Sequence, residues 1–268
     1  MGKRANNGTK WKIVGVSALA VAALGVGAAS IARPVEAPLG GATYTAAPQV
    51  TQPVEDTAIV PATTDDIKAL LGSGKEATIS ILGDSTGDAP GEWVDLWAKH
   101  LSATHTVKYF AWDGDKNAYP YEPETFGSGP VITIWNGSRA GATGKYALDR
   151  FPALQPQKPS VVIYNYGHNS TGPTVVDELS ALNERVTYRW GATPYVVTLQ
   201  NPAQGTRATQ SAASVEALRA FVTSNKAAYV DVTTAFGAVP LKSLLADEVH
   251  PNSQGSQIWV DAVVQTLG

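Results

Sequence analysis

Ser85 stands in the run Ile81-Leu82-Gly83-Asp84-Ser85-Thr86-Gly87, where an apolar stretch ends in a glycine-flanked hydroxyl. A serine hydroxyl is a weak nucleophile until a neighbouring base takes its proton. The chain offers an acid and a base three residues apart, Asp247 and His250, in Asp247-Glu248-Val249-His250-Pro251-Asn252. On a loop, that offset lets the carboxylate accept the Nδ1 proton of its neighbour's ring and leaves Nε2 free to accept from a serine. Acyl transfer also needs donors aimed at a developing oxyanion. Asn136-Gly137-Ser138-Arg139-Ala140-Gly141 and Tyr166-Gly167-His168-Asn169 offer glycine N–H groups and an asparagine amide. Each piece alone has a plainer reading: a turn serine, a helix-entry loop capped by Asn252 or Ser253, two ordinary turns. His168 is either a structural residue of its loop or a second base. The joint order along the chain, Ser, Gly, Asn and then Asp-x-x-His, points to acyl transfer.

Those pieces need a scaffold that gathers distant residues at one edge. Short apolar runs at 77–82, 131–135, 160–166, 195–199 and 228–232 read as strands. Amphipathic stretches at 92–102, 174–190, 212–225 and 253–267 read as helices, the second carrying Leu179, Leu182, Val186 and Trp190 at helical spacing. Their alternation predicts a parallel sheet covered by helices. In such sheets ligands bind outside the carboxyl ends of the strands, where Ser85 and the two loops after it fall. An aromatic segment at 110–126, with Trp112, Tyr119 and Tyr121, either walls that site for a sugar ring or acyl chain or packs its rings on the domain.

Composition removes several competing chemistries. The 268 residues contain no Cys, which excludes disulfide scaffolds, thiolate metal sites and Cys nucleophiles, and 4 His leave little for a His-rich metal centre. A net charge of −3 gives no basic surface for nucleic acid. Residues 1–32 read separately as a signal peptide or N-terminal membrane anchor, because Lys3, Arg4, Lys10 and Lys12 precede an uncharged run over 13–32. Ser30-Ile31-Ala32 favours cleavage before Arg33; an uncleaved span is the competing reading, and the only way the chain would meet a membrane. Either way the positive-inside rule places residues 33–268 beyond the cytoplasmic membrane, so the protein is expected to be exported. Residues 33–64, with Pro34, Pro38, Pro48, Pro53 and Pro61, read as a linker. Residues 65–268 have the size of one catalytic domain.

The ordered set of Ser85, the 136–141 loop, Gly167-His168-Asn169 and Asp247 through His250 resembles the four blocks of the SGNH hydrolase superfamily, the GDSL esterases and lipases, over roughly residues 75–268. The resemblance implies a flavodoxin-like, three-layer α/β/α sandwich with a parallel sheet of about five strands. It implies Ser85 as nucleophile, His250 as general base and Asp247 as its orienting acid, with Ser85 N–H, Gly141 and Asn169 forming the oxyanion hole. No cofactor or metal is implied. Ser170 departs from the pattern, which usually carries Asp after the third-block Asn, and Gly137 and Gly144 compete with Gly141 for the oxyanion role. Gly83-x-Ser85-x-Gly87 also matches the nucleophile elbow of α/β-hydrolases, but there strands precede the elbow and the acid and His come from separate loops. The expected activity is that of an exported serine esterase working through an acyl-enzyme on carboxylic esters. Its expected partner is a small ester, or a short acyl or O-acetyl group on an envelope glycan or lipid. The alternative is a catalytically silent envelope-binding or attachment module on the same scaffold.

Overall fold

Alternation of side chains along each strand decides which layer a residue joins. In a computed structural model that describes residues 62–237 and 239–268, seven strands form one sheet. They are β1 (Ala77–Gly83), β2 (Thr106–Ala111), β3 (Glu124–Phe126), β4 (Val131–Asn136), β5 (Val161–Asn165), β6 (Tyr195–Leu199) and β7 (Ala228–Asp231). Their spatial order is β3-β2-β4-β1-β5-β6-β7. Only β3 runs antiparallel, to β2. The expected leader over 1–32 and nearly all of the 33–64 linker lie outside the described residues.

The described helices are α1 (Thr64–Leu71), α2 (Trp93–Leu101), α3 (Gly144–Asp149), α4 (Phe151–Leu154), α5 (Gly172–Trp190), α6 (Ala208–Asn225), α7 (Val232–Phe236), α8 (Leu241–Leu244) and α9 (Ser253–Leu267). Ile79 and Ile81 of β1 and Val161 and Ile163 of β5 face one core, shared with Trp93 and Trp97 of α2 and Trp259, Val263 and Leu267 of α9. Leu82, Val162, Tyr164 and Val197 face the opposite core, with Leu179, Leu182 and Val186 of α5 and Leu218 and Val222 of α6. Trp93 and Trp259 stack across α2 and α9 with ring centroids 6.0 Å apart, and neither has measurable exposure. Truncating either to Ala should destabilise the domain by about 3–5 kcal/mol through the cavity left behind. The three layers match the sequence expectation.

The sheet has seven strands where about five were expected. Lys108 and Thr106 interrupt the apolar pattern of β2, because the outer face of that strand is open, and the three residues of β3 are too few to show a period. The chain leaves β1 for β2, returns to β4, then crosses β1 to reach β5 and continues outward to β7. That reversal around β1 opens a crevice at the carboxyl ends of β1, β4 and β5. No helix among the described residues is long and apolar enough to cross a membrane.

Candidate active site

Ser85 follows β1 directly, on a turn fixed from beneath by buried polar groups. A Cβ on Gly83 would lie 2.7 Å from Ser138 Oγ and 3.1 Å from Asn165 Cβ, so glycine permits the close packing that starts the turn. Asp84 is fully buried. Its Oδ1 accepts from Thr86 N–H at 3.1 Å and Thr86 Oγ1–H at 2.8 Å, and its Oδ2 accepts from Gln200 Nε2 at 3.0 Å. Asn165 Nδ2 donates to Thr86 Oγ1 at 3.0 Å, and Asp84 N–H donates to Asn165 O at 3.2 Å. A buried acid is tolerable only with such partners, and here they come from Thr86 on the same turn and from Gln200 at the end of β6. Asp84, Thr86, Asn165 and Gln200 were not singled out from sequence. The available signal was polar side chains closing otherwise apolar strands.

The base arrives from the other side of the crevice. The loop between α8 and α9 is closed by a bridge between Leu245 and Pro251, with Ala246 N–H donating to His250 O and Asn252 N–H to Leu244 O, both at 2.8 Å. Asn252 Oδ1 caps α9 by accepting from Gln254 and Gly255 N–H, so the loop is also the helix entry that its sequence suggested. Within it, Asp247 Oδ1 accepts from Val249 and His250 N–H, each at 2.8 Å. Asp247 Oδ2 accepts from His250 Nδ1–H at 2.7 Å, and His250 Nε2 lies 2.7 Å from Ser85 Oγ. With Nδ1 donating, Nε2 is the acceptor for the serine proton. Partial burial pushes the Asp247 carboxyl up, but the backbone N–H groups of His250 and Val249 and the His250 ring outweigh it, holding Asp247 at about 2. Asp247 is therefore ionised opposite the imidazole across the neutral range.

Three glycines competed for one donor role, and their hydrogen bonds distinguish them. Gly137 N–H donates to Ile81 O at 2.8 Å, and Gly144 N–H to Glu178 Oε2 at 2.9 Å. Among the described residues, Gly141 N–H and Ser85 N–H donate to nothing. Gly141 has φ +74°, a left-handed conformation that favours glycine, and lines the same cavity as Ser85, Asn169 and His250. Asn169 Nδ2 spends one hydrogen on Ala142 O at 3.0 Å and keeps the other. The site thus has three unspent N–H donors beside one hydroxyl.

His168 does not line the cavity. Its ring is buried against Asn201 Oδ1 and Ser211 Oγ, each at 3.3 Å, and burial pushes its pKa down. Arg207, to which no sequence motif pointed, does line the cavity, and its Nη2 donates to His168 O and to Asn169 Oδ1. The aromatic segment is not the wall of this cavity. Trp112 and Tyr119 pack edge to face and border a separate hollow with Trp135, while Tyr121 is 95% exposed. On the β1–α2 connection, burial pushes Glu92 up to about 7 and raises Asp88 beside it. Among the described residues, no group of three or more His, Asp or Glu side chains is arranged to hold a metal ion.

Residues 81–258 match the GDSL-like lipase/acylhydrolase family. No curated protein matches the sequence. Solved structures similar to this one include an alpha/beta hydrolase from the metagenome of Lake Arreo, Spain, with TM-score 0.54 and 17% identity over 72% of this chain and 95% of that one. A lipase/acylhydrolase from Enterococcus faecalis has TM-score 0.51 and 18% identity over 70% and 94% of the two chains. An acetylxylan esterase from Geobacillus stearothermophilus has TM-score 0.53 and 16% identity over 72% and 94%. At these identities the structural likeness speaks for the fold.

Proposed function

Because this chain belongs to the GDSL-like lipase/acylhydrolase family, whose members hydrolyse esters, we propose that Ser85, His250 and Asp247 carry out the hydrolysis through an acyl-enzyme. The observation that carries this reading is the continuous relay from Ser85 Oγ to His250 Nε2 and from Nδ1 to Asp247 Oδ2, each link 2.7 Å long.

In the first half-reaction Ser85 Oγ attacks the ester carbonyl as its proton passes to His250 Nε2. Asp247 stabilises the imidazolium that forms, without taking the proton itself. The carbonyl oxygen becomes an oxyanion held by Ser85 N–H, Gly141 N–H and Asn169 Nδ2. Collapse expels the alcohol oxygen, which takes the proton from His250. Water then enters, gives a proton to His250 and attacks the acyl carbon; Ser85 leaves with that proton and the carboxylic acid is released.

The substrate proposed is a short acyl ester, in particular an O-acetyl group on a glycan or lipid of the cell envelope. Support comes from a cavity of about 470 Å³ in which Val249 and Ala140 are the aliphatic side chains among lining residues that otherwise carry polar groups or are glycine. An acetylxylan esterase among the structural relatives is consistent with acetyl as the acyl group taken up by Ser85 and a sugar hydroxyl as the leaving group. Export is part of the same proposal and rests on the basic-then-uncharged pattern of residues 1–32. The test is hydrolysis of p-nitrophenyl acetate and butyrate by the full chain, with labelling by a fluorophosphonate. Turnover favouring acetate, with turnover and label both lost in Ser85→Ala, is the expected result. A folded protein that neither turns over nor labels would favour the silent binding-module reading.

A further inference from the structure

Ser170 follows Asn169 where the SGNH pattern usually carries an acid, and in this fold an acid reaches the loop from elsewhere. Glu178, half-buried on α5, holds two loops at once. Its Oε2 accepts from Gly144 N–H at 2.9 Å and from Ser170 Oγ–H at 3.1 Å, while Oε1 accepts from Thr143 Oγ1–H at 3.2 Å. Thr143 and Gly144 end the loop that carries Gly141, and Ser170 adjoins Asn169. A Cβ on Gly144 would come within 2.6 Å of Glu178 Cβ, so this glycine lets α3 approach α5 closely enough for the bridge. Asn169 Nδ2 ties the same two loops by donating to Ala142 O.

We propose that Glu178 is a positioning residue for ester hydrolysis, setting the separation between the Gly141 N–H and the Asn169 amide. The inference rests on the oxyanion hole proposed above. Glu178 does not line the Ser85 cavity and acts only through the loops it joins. Oxyanion donors work because they are preorganised, and a misplacement of about 1 Å can cost about 100-fold in rate. Length and acceptor geometry matter here, rather than net charge. A glutamine can place its oxygen where Oε2 lies, accepting from Gly144 and Ser170, while its amide donates to a spare lone pair of Thr143 Oγ1. An aspartate keeps the charge but is one methylene too short to reach both loops.

The experiment measures kcat, KM and Tm of the full chain on p-nitrophenyl acetate for Glu178→Gln, Glu178→Asp and Glu178→Ala, alone and combined with Asn169→Ala. Glu178→Gln should stay within about threefold of the parent kcat, whereas Glu178→Asp and Glu178→Ala should lose about 10- to 100-fold in kcat at nearly constant KM. In the Asn169→Ala background the same changes should cost no more than about threefold, because one of the donors being aligned is already missing. Wild-type kcat in a folded Glu178→Ala protein, a glutamine as damaging as the alanine, or a fully multiplicative loss over Asn169→Ala would each overturn the proposal. Should Glu178→Ala fail to fold, the contrast between Asp and Gln decides alone. Ser85→Ala separates the two layers: turnover that survives it refutes the reaction assignment, whereas a folded Glu178→Ala enzyme with unchanged kcat refutes only the bridge.

Discussion

The serine and the histidine that meet in the cavity differ in how deeply their supports are buried. Ser85 rides on a turn anchored by Asp84, Thr86, Asn165 and Gln200, side chains with almost no exposure that come from three different strand ends. His250 and Asp247 sit on a half-exposed loop that bonds to itself within residues 244–252 and is also tied to residues 201–206 through Asp247 O, Glu248 and Val249 O. One half of the site is therefore built into the core, and the other is a more exposed loop whose acid–base pair is local in sequence and whose other contacts lie near the surface. Damage to the first should register chiefly as stability, and damage to the second chiefly as activity.

The largest effect is expected on the loop side. Asp247→Asn should lower kcat by about 10²–10⁴ by removing the group that fixes the imidazole tautomer, with only a small loss of stability at neutral pH because solvent screens so exposed a carboxylate. Its pH signature has a definite sign. The folded-state value of about 2 lies below the ordinary 3.8, so the stability Asp247 adds is present above pH 3.8 and lost as pH falls towards 2. Asp247→Asn should flatten that part of the acid-denaturation curve, and an unchanged curve would mean that the local bonds are not formed in solution.

Next in size is the core side. Gln200→Ala strips partners from Asp84, Asn165 and the His168 backbone together, and should cost about 2–4 kcal/mol of unfolding free energy in a denaturant titration. A Gln200→Ala protein as stable as the parent would erase the distinction between the two halves. The smallest effect belongs to Glu92, whose carboxyl is raised from 4.5 to about 7 chiefly by burial. Here the folded protein holds the proton more tightly than the unfolded chain, so stability falls as pH rises from about 4.5 through about 7. Glu92→Gln should match the parent at pH 5 and exceed it at pH 8 by about 1–2 kcal/mol after allowance for solvent screening. Equal thermal midpoints for the two proteins at pH 8 would contradict this.

The same contrast explains what could be read from the sequence. Asp247 and His250 are three residues apart and bond to each other, so their spacing already contained their geometry. Four of the longer helices were legible from buried positions at helical spacing, and five of the seven strands from short apolar runs, since the central strands are buried on both faces. β2 escaped because its open face carries Lys108, and α3, α4, α7 and α8 are too short to show a period. Gln200 and Glu178 were illegible for a different reason: their partners lie 116 and 34 residues away, and a lone polar residue in a strand end or helix carries no mark of what it will meet. Which of Gly137, Gly141 and Gly144 keeps a free N–H likewise depends on acceptors supplied by other elements.

The most direct test is to quench the full chain during p-nitrophenyl acetate turnover and locate any acetyl group by peptide mass spectrometry. A single acetyl on the peptide containing Ser85, absent from Ser85→Ala along with turnover, is the result expected of an acyl-enzyme formed by the Ser85–His250–Asp247 relay. Undiminished hydrolysis in Ser85→Ala, or an acetyl group carried only at another residue, would contradict it.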